Sequence, residues 1–388
     1  MADTITIDAF GPLAVARPAS VAELCELVTR TRAAKHGLYP VGGRTTLDLG
    51  LPPTKPGVAC DTTALNAVID YPARDMTITV QAGVTVTALQ AELAKEGQWL
   101  PVDVPSPERA TLGGAVAVNA SGPRRLGYGT LRDYVIGISF VTDDGVEVKA
   151  GGRVVKNVAG YDLMKLQIGA LGTLGVVTQL TLKVKPKPEA SAAVLFVCRP
   201  DSLASVLDLL ASSKTRPVAV ELLSSEAWRE TRVNIPVTDE WAIVVGFEEK
   251  PAAVRWQVSA LLDELKGTPV RDVMELPNTS IFDTITALQL RPESRFIGKR
   301  SVLPSKLATE LQARHGFLTH AHALSGVIWM HDEETLPDGA VVRRCPVERK
   351  KSLAVWGAPP AAWELMRHIK RTLDPDNVFN PGRMFGDM

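Results

Sequence analysis

Hydrophobic and polar positions in the N-terminal quarter of the chain alternate between helical and strand spacing. Ser20 and Glu23 form a capping box, and the apolar residues behind it predict a helix that ends at Gly37. Thr85 opens a second predicted helix, which Gly97 closes. Short runs rich in β-branched residues predict strands over residues 38–41, 58–61, 68–71 and 76–82. This part of the chain is therefore predicted to mix helices and strands.

A hairpin and a long strand are predicted further along the first half. Residues 135–149 predict the hairpin, whose turn is Asp143-Asp144-Gly145 because its glycine can adopt positive φ. Alternating apolar residues over 176–184 predict the strand. Pro186 and Pro188 then interrupt the pattern, and we place a domain boundary there.

The segment that follows has a different order of elements. They run strand, helix, strand, strand, helix, strand, which is the split βαβ or ferredoxin-like order. Residues 295–345 are predicted to form further strands with one helix near 305–314, and a final helix is predicted over 361–372. The α+β chain is thus expected to have domains over residues 1–187 and 188–350, and a C-terminal helix and tail over 351–388. The ferredoxin-like elements are predicted over residues 193–198, 202–213, 218–223, 241–247, 252–266 and 270–275.

The composition excludes several classes of protein. The 388 residues include 43 Lys+Arg and 43 Asp+Glu, and zero net charge argues against a protein built to bind nucleic acid or anionic membranes. The four cysteines are far apart, so no iron–sulfur cluster or structural zinc is expected. No apolar run is long enough for a transmembrane segment and the N-terminus lacks the basic residues of a signal peptide, so a cytoplasmic protein is expected.

Glycine is concentrated where a ligand is expected. Thirteen of the 30 glycines lie between Gly113 and Gly175, so the backbone there makes unusual turns or approaches something closely. The loop 42–46 follows a strand and has paired glycines and threonines, which suits a pyrophosphate, although an ordinary surface turn is the alternative. Small residues over 111–122 suit a loop and helix start lying against a planar ring or diphosphate. Tight helix packing is the alternative there, and it leaves 119–122 unexplained.

Two further motifs are candidates for contacts with the expected ligand. Tyr128 and Gly129 stand close to Asp133, and glycines recur at every third position from Gly169 into the strand that holds Val177. Such a backbone can approach the edge of a flat ligand, where the N–H and C=O of Val177 are placed to bind a purine.

In this order and spacing the motifs resemble the FAD-binding domain of the vanillyl-alcohol-oxidase family, the PCMH-type flavoprotein fold. The run 151–166 looks like that of the FAD-binding subunits of glycolate oxidase, and 374–383 is similar to the tail of FAD-linked 2-hydroxyacid dehydrogenases. The resemblance is specific over 38–185 and 372–385. It implies a two-subdomain, PCMH-type FAD-binding domain with a ferredoxin-like (split βαβ) cap domain.

The resemblance also implies how FAD is bound. The pyrophosphate is expected on 42–46 and 111–114, the adenine near Val177 and the isoalloxazine facing the cap. Arg44 stands where many family members carry a histidine bonded covalently to the flavin, so we predict non-covalent FAD. The residues expected at the cofactor are Val41, Gly42, Gly43, Arg44, Thr45, Thr46, Pro105, Thr111, Leu112, Gly113, Gly114, Asn119, Ala120, Ser121, Gly122, Arg124, Tyr128, Gly129, Asp133, Gly172, Gly175, Val176, Val177 and Asn380.

Histidines and arginines in the second half are the candidates for substrate chemistry. Related dehydrogenases often hold a metal with a histidine pair and a carboxylate, but the segment from His320 to His331 lacks their Asp-Gly-Asn pattern, so we predict no metal ligands. His320, His322 and His331 are the candidate bases, although histidines on one strand face need not bind anything. Family members hold the substrate carboxylate with arginine, for which Arg300 and Arg383 are the candidates, although each can also be structural.

Three functions remain open. The first is an FAD-dependent oxidoreductase subunit that oxidises a small 2-hydroxy acid, glycolate or D-lactate, and passes electrons to a partner iron–sulfur subunit. The second is a non-catalytic FAD-binding or electron-relay subunit of a glycolate dehydrogenase that contains a second flavoprotein subunit. The third, a flavin oxidase of sugar lactones or a nicotinamide-dependent reductase, lacks a recognisable nicotinamide motif. The basic run 343–351 is either a docking site for an acidic partner or a solvated face.

Overall fold

A computed structural model describes residues 3–152, 162–233, 237–312, 314, 317–332 and 334–387 of the chain. The strands within these ranges are β1 (Thr4–Ile7), β2 (Phe10–Ala16), β3 (Gly37–Val41), β4 (Gly57–Asp61), β5 (Val68–Asp70), β6 (Thr77–Gln81), β7 (Gln98–Trp99), β8 (Val135–Val141), β9 (Glu147–Gly151), β10 (Val176–Lys183), β11 (Lys185–Pro186), β12 (Ala190–Cys198), β13 (Ala219–Leu223), β14 (Trp241–Glu249), β15 (Val270–Leu276), β16 (Phe296–Ser301), β17 (Thr319–His322), β18 (Val327–Asp332) and β19 (Val341–Arg344). The helices there are α1 (Val21–Ala33), α2 (Val86–Ala94), α3 (Leu112–Ala117), α4 (Arg125–Tyr128), α5 (Leu131–Tyr134), α6 (Met164–Gln167), α7 (Leu203–Ser212), α8 (Ser225–Glu230), α9 (Pro251–Leu265), α10 (Ile281–Leu288), α11 (Leu307–Leu311), α12 (Val347–Lys350) and α13 (Trp363–Leu373).

Contacts between residues divide the chain into two compact units. The first contains residues 1–120, 130–186 and 346–388, and the second contains 121–129 and 187–345. Both units are discontinuous in sequence, unlike the consecutive domains expected from the order of elements. The C-terminal tail belongs to the first unit, and the short segment 121–129 to the second.

The first unit is built on two main sheets, as far as its residues are described. One sheet has the order β1-β2-β4-β3, with β2, β4 and β3 parallel to one another. The other is antiparallel with the order β5-β6-β10-β8-β9, and β11 pairs with β7.

Helix α1 shows why local sequence specifies elements of this unit. Ser20 Oγ accepts a hydrogen bond from the Glu23 backbone N–H at 3.2 Å, so the predicted cap forms. The buried face of α1 carries Leu24 and Val28, which pack in one core cluster with Phe379 from the C-terminal tail. The tail is therefore part of the core of the first unit.

The second unit is built on a long antiparallel sheet. Among the described residues its order is β15-β12-β14-β13-β17-β18-β16-β19. The first four strands have the ferredoxin-like order, so this part of the cap prediction is confirmed. The two faces of the sheet bury separate clusters, with Val194 and Phe196 on the face of α7 and α9, and Leu195 and Val197 on the face of α8 and α10.

Several elements of the fold were not predicted. β1 and β2 were missed, as were α8 and α10. The further strands expected within residues 295–345 are present as β16, β17, β18 and β19, and they extend the ferredoxin-like sheet. Helices α8 and α10 are short, at 6 and 8 residues, and their buried apolar side chains cover a sheet face that a bare split βαβ motif would leave open.

Candidate functional site

The glycine loop 42–46 follows β3, as predicted, and lies against the residues that precede α3. A Cβ atom on Gly42 would lie 2.1 Å from Thr111 Oγ1, and one on Gly43 would lie 1.8 Å from the carbonyl oxygen of Arg109. Only glycine allows these two backbone segments to approach so closely. The structure thus brings together the two loops predicted to bind a pyrophosphate.

Thr111 fixes the start of α3. Its Oγ1 accepts a hydrogen bond from the Gly114 backbone N–H at 3.2 Å, which is an N-cap. Leu112 is fully buried, and a Cβ atom on Gly113 would lie 2.8 Å from the Ala82 Cβ. The small residues here therefore allow close packing inside the unit, and they leave the start of α3 free of bulky side chains.

Thirteen non-glycine residues of the described chain have positive φ, and five of them lie in or beside the predicted cofactor loops. Positive φ angles occur at Arg44 (59°), Ser106 (51°), Asn119 (47°), Leu171 (57°) and Asn380 (45°), none of which is glycine. Non-glycine residues rarely adopt this conformation, and it is found most often at functional sites. The strained positions also include Ser106, which follows the predicted contact Pro105.

Asn119 offers a specific test of whether a ligand fits here. Its side-chain Oδ1 is buried and accepts no hydrogen bond from the described residues. A buried acceptor without a donor costs about 1–3 kcal/mol, so a bound ligand that donates an N–H or O–H group would recover this free energy. Together with the glycine loops, this acceptor fits the expected FAD.

The loop ahead of β10 is held by the C-terminal tail. Asn380 Nδ2 donates to the Leu171 carbonyl oxygen at 2.7 Å, and Gly172 has φ of 63°. In β10 itself the register shifts between Val177 and Gln179, which marks a bulge beside the proposed adenine contact. Asn380 thus braces the loop, as well as being a predicted cofactor contact. The tight turn continues at Gly175, where a Cβ atom would lie 2.8 Å from the Val141 carbonyl oxygen.

The segment after Asn119 differs from the prediction. Arg124, expected at the cofactor, donates from Nε to Glu248 Oε1 at 2.8 Å and from Nη2 to Thr279 Oγ1 at 3.3 Å. Asp133 accepts from the Thr130 backbone N–H at 2.8 Å and caps α5. We therefore leave Arg124 and Asp133 out of the proposed cofactor site, since local structure already engages their polar groups.

The rest of that segment is divided between the units. Ala120 closes the first stretch of the first unit, whereas Ser121, Gly122, Tyr128 and Gly129 belong to the second. Ser121 accepts a hydrogen bond from Gln289 Nε2 at its carbonyl oxygen, at 3.0 Å. Of the run 151–166 that carries the resemblance, residues 153–161 lie outside the described residues.

The three candidate histidines lie on adjacent strands of the second unit. His320 and His322 are on β17 and His331 is on β18, with 0%, 2% and 5% of their surface exposed. His322 lies opposite Glu221 of β13, and its Nδ1 is 2.9 Å from both carboxylate oxygens. The strand alternation thus brings together the candidate bases and adds a carboxylate that was not predicted.

The side chain of His320 lies among three rings, those of His322, Trp329 and His331. Its ring lies parallel to Trp329, with centroids 6.1 Å apart, and its two nitrogens have no hydrogen-bonding partner among those residues. Burial, followed by His331 and His322, lowers the pKa of His320 well below 6.5. Burial, followed by Arg291 and Arg344, lowers the pKa of His331 to about 3, and His331 Nδ1 contacts Ser294 Oγ at 3.0 Å.

Two cations flank the same tryptophan. Lys299 Nζ and the Arg343 guanidinium carbon each lie 5.6 Å from the centroid of the Trp329 ring. Burial, with Arg343 and Arg125 nearby, lowers the pKa of Lys299 to about 7, and burial lowers the pKa of Arg343 to about 10. In the part of the chain that the structure describes, neither cation has an acidic partner. This arrangement suits a bound anion.

The two predicted carboxylate anchors are engaged elsewhere. Arg300 Nη1 donates to Glu310 Oε2 at 2.8 Å. Arg383 is 6% exposed and its guanidinium donates to Asp8 and to the carbonyl oxygens of Leu47, Leu49 and Leu51, at 2.5 to 2.7 Å. Both arginines are therefore already engaged within the chain, Arg300 in an ion pair and Arg383 in holding a loop, and we do not carry them forward as carboxylate anchors.

The sequence contained partial signals for the residues that were missed. Glu221 interrupts an otherwise apolar predicted strand, which is unusual for an unpartnered acidic residue. The sequence marks Arg343 only as part of the basic run 343–351. That run is not a uniform solvated face, because Lys350 is 1% exposed and donates to Asp8 Oδ2 at 2.7 Å.

Two other kinds of feature are absent from the described residues. No group of three or more histidine, cysteine, aspartate or glutamate side chains among them is arranged to hold a metal ion. None of the helices they form is long and apolar enough to cross a membrane.

Comparisons with known proteins agree with this geometry. Residues 12–151 match the family model of an FAD binding domain, and residues 349–384 match that of the C-terminal domain of FAD linked oxidases. The chain is 29% identical to glycolate oxidase subunit GlcE of Escherichia coli, covering 94% of this chain and 97% of that protein. It is 27% identical to a D-lactate dehydrogenase of Archaeoglobus fulgidus, covering 95% and 90%.

Further matches are partial in sequence or confined to fold. Glycolate oxidase subunit GlcD of Bacillus subtilis is 33% identical over 213 residues, which are 55% of this chain and 45% of that protein. A structure of alkyldihydroxyacetonephosphate synthase superposes with a TM-score of 0.69 at 20% identity, over 95% of this chain and 75% of that one. These matches confirm the predicted FAD-binding domain and PCMH-type fold.

Proposed function

We propose, on the premise that this chain belongs to the FAD-linked oxidoreductases, that it oxidises a small 2-hydroxy acid, glycolate or D-lactate, as one subunit of a complex. The observation that carries the proposal is the end-to-end similarity to glycolate oxidase subunit GlcE. The buried histidines and the unpartnered cations of the second unit support it, because oxidation of a hydroxy acid needs a base and an anion site.

FAD would supply the redox chemistry by accepting a hydride equivalent from the carbon that bears the hydroxyl group. In the first unit the loops 42–46 and 111–114 would bind its pyrophosphate through backbone N–H groups and threonine hydroxyls. Asn119 Oδ1 would accept a hydrogen bond from it, and Val177 remains the proposed adenine contact. Arg44 pairs with Asp61 at 3.3 Å, and the proposed binding is non-covalent.

The substrate would use side chains of the second unit. Lys299 and Arg343 would bind its carboxylate, in place of the arginines first predicted, because charge-assisted hydrogen bonds are about twice as strong as neutral ones. His322 would take the hydroxyl proton, since it is the candidate histidine with a carboxylate beside it. We propose no metal in these steps.

Electrons would leave through another subunit. We propose that a second flavoprotein subunit and an iron–sulfur subunit complete the complex. The support is the end-to-end similarity to glycolate oxidase subunit GlcE, together with the wide spacing of Cys25, Cys60, Cys198 and Cys345 in this chain.

Anaerobic mixing of the purified flavoprotein with glycolate or D-lactate tests the proposal. Bleaching of the oxidised-flavin absorbance within the turnover time supports oxidation by this chain. If bleaching occurs only after the partner subunits are added, the chain is the non-catalytic relay, a role favoured by the lack of an Asp-Gly-Asn pattern between His320 and His331. Acid precipitation in the same experiment should release the flavin, and flavin that stays with the pellet would contradict non-covalent binding.

A further inference from the structure

Glu221 is a buried carboxylate in the middle of an apolar strand. It is 0% exposed, and its neighbours Val220 and Leu222 are core residues on the opposite face of the sheet. A buried carboxylate is destabilising unless charged or polar groups compensate it. The folded protein therefore needs a charged or polar group beside Glu221. The identity of that group indicates what Glu221 does.

The partner is His322, which lies directly opposite on β17. Its Nδ1 is 2.9 Å from both Oε1 and Oε2 of Glu221. An ionised carboxylate only accepts hydrogen bonds, so the proton of this contact sits on Nδ1. In the neutral ring the electron pair that can accept a further proton is then on Nε2.

The other two histidines of the group lack this arrangement. His320 has only ring neighbours in the described part of the chain, and His331 Nδ1 faces the Ser294 hydroxyl. Burial disfavours their charged forms, whereas His322 has a carboxylate to stabilise the imidazolium that proton transfer creates. Of the three, His322 is thus the ring equipped to hold a proton taken from a substrate.

We propose that Glu221 is a positioning residue, which fixes the tautomer and orientation of His322 so that Nε2 receives the hydroxyl proton of the 2-hydroxy acid. The proton moves from the substrate oxygen to Nε2, and the charge of the resulting imidazolium is balanced by the Glu221 carboxylate. This inference rests on the proposed function for its chemistry, but not for the Glu221–His322 contact itself.

The rate at which the substrate reduces the bound flavin measures the chemical role of Glu221. The flavin-loaded protein and its Glu221→Gln, His322→Ala and double variants are mixed anaerobically with the acid that reduces the wild type. We expect Glu221→Gln to lower the limiting reduction rate about 100-fold, with substrate affinity changed less than about threefold. Because Glu221 acts through His322, the double variant should be no slower than His322→Ala alone. Rates that fall by the product of the two single effects, or an unchanged Glu221→Gln rate, would overturn the proposal.

Glu248→Gln is the matched control. Glu248 is a buried carboxylate on the next strand, β14, is 7% exposed and also accepts hydrogen bonds from side chains, but it is bound to Arg124 and Thr279. We expect this variant to keep the wild-type reduction rate per bound flavin. If it slows reduction as much as Glu221→Gln does, loss of any buried carboxylate in the sheet explains the effect and the proposal fails.

Nuclear magnetic resonance of histidine-labelled protein tests the contact without any turnover. The Nδ1 proton of His322 should give a strongly deshielded imidazole signal that disappears in both Glu221→Gln and His322→Ala and persists in Glu248→Gln. A wild type that no 2-hydroxy acid reduces would contradict the proposed function, yet this signal would still support or refute the fixed tautomer. Its absence from the wild type, or its survival in Glu221→Gln, would overturn the inference.

Discussion

The C-terminal tail of the first unit and the histidine strands of the second both bury several polar side chains, but they satisfy them differently. In the tail, Lys370 is bonded to Asp374 and to the carbonyl oxygens of Thr173 and Phe379. Arg383 likewise donates all of its described hydrogen bonds to Asp8 and to backbone oxygens. In the strands, His320 and Lys299 have no such partners among the described residues.

The difference shows that buried polar side chains can have two roles, one structural and one in binding a ligand. A polar group that is fully bonded within the chain holds segments together and has no capacity left for a ligand. A polar group that is buried without a partner destabilises the protein until a ligand supplies one. Arg383, the arginine predicted from the sequence, is of the first kind, and His320 is of the second. The half-buried cations Lys299 and Arg343 contact the Trp329 ring but have no acidic group beside them in the described residues.

The largest effect should come from breaking the bonded network of the tail. Arg383→Met leaves the Asp8 carboxylate without one of its cations and removes donors from three carbonyl oxygens. We expect the free energy of unfolding to fall by about 3–5 kcal/mol in a denaturant titration. The control is Arg199→Met, because Arg199 and Asp201 form an exposed pair with 73% and 65% of their side chains accessible. Arg199→Met should lower the free energy of unfolding by less than about 1 kcal/mol. If both variants lose the same amount, the tail network contributes no more to stability than an exposed ion pair.

The next effect concerns the unpartnered cations. Lys299→Met and Arg343→Met should each raise the KM for the hydroxy acid by about 10- to 100-fold with little change in kcat, because a charge-assisted hydrogen bond contributes about 1.5–3 kcal/mol. The exposed Lys306 of the same unit provides the control variant, Lys306→Met, which should keep the wild-type KM. A fall in kcat alone would place Lys299 and Arg343 outside substrate binding.

The pH dependence of binding should follow Lys299. Burial, helped by Arg343 and Arg125, lowers its pKa to about 7, so the side chain loses its charge as the pH rises through that value. We expect KM to rise about tenfold between roughly pH 6 and pH 8. The Lys299→Arg variant stays charged, and its KM profile should be flat in this range.

Stability should move in the opposite direction over the same range. Because the pKa of lysine in the unfolded chain is about 10.4, the unfolded state binds more protons than the folded state between about pH 7 and pH 10. The Lys299 contribution to the free energy of unfolding therefore increases with pH there, while anion binding weakens. A KM that falls with rising pH would contradict the assignment.

Elements whose signals are local were predictable from the sequence. Ser20 and Thr85 cap the two predicted helices, α1 and α2, as expected. Gly145 has φ of 77° in the predicted hairpin turn, and the glycines at 42 and 43 lie where two loops meet. In each case a single residue type satisfies a steric or hydrogen-bonding requirement within a few residues or at one contact.

Partnerships between distant residues were not predictable. Arg383 meets Asp8 across 375 residues of sequence, and His322 meets Glu221 across 101. Nothing in the pattern around Arg383 distinguishes an arginine bound to carbonyl oxygens from one that awaits a carboxylate. Strands were expected within residues 295–345, but their pairing with the ferredoxin-like sheet beside β13 was not predictable, because it depends on residues far away in the sequence.

The smallest effect should come from Asn119, the one buried acceptor of the predicted cofactor loops found without a donor in the described residues. Asn119→Gly removes the side-chain oxygen but keeps the φ of 47°, which glycine adopts without strain. The flavin-free protein should be at least as stable as the wild type, because the change removes an unpaired buried acceptor that costs about 1–3 kcal/mol. FAD affinity in a fluorescence titration should fall by roughly 3- to 10-fold, the contribution of one hydrogen bond. Met76→Gly, at φ of 53° outside these loops, should leave FAD affinity unchanged, and an equal loss there would mean that the backbone rather than the Asn119 oxygen determines binding.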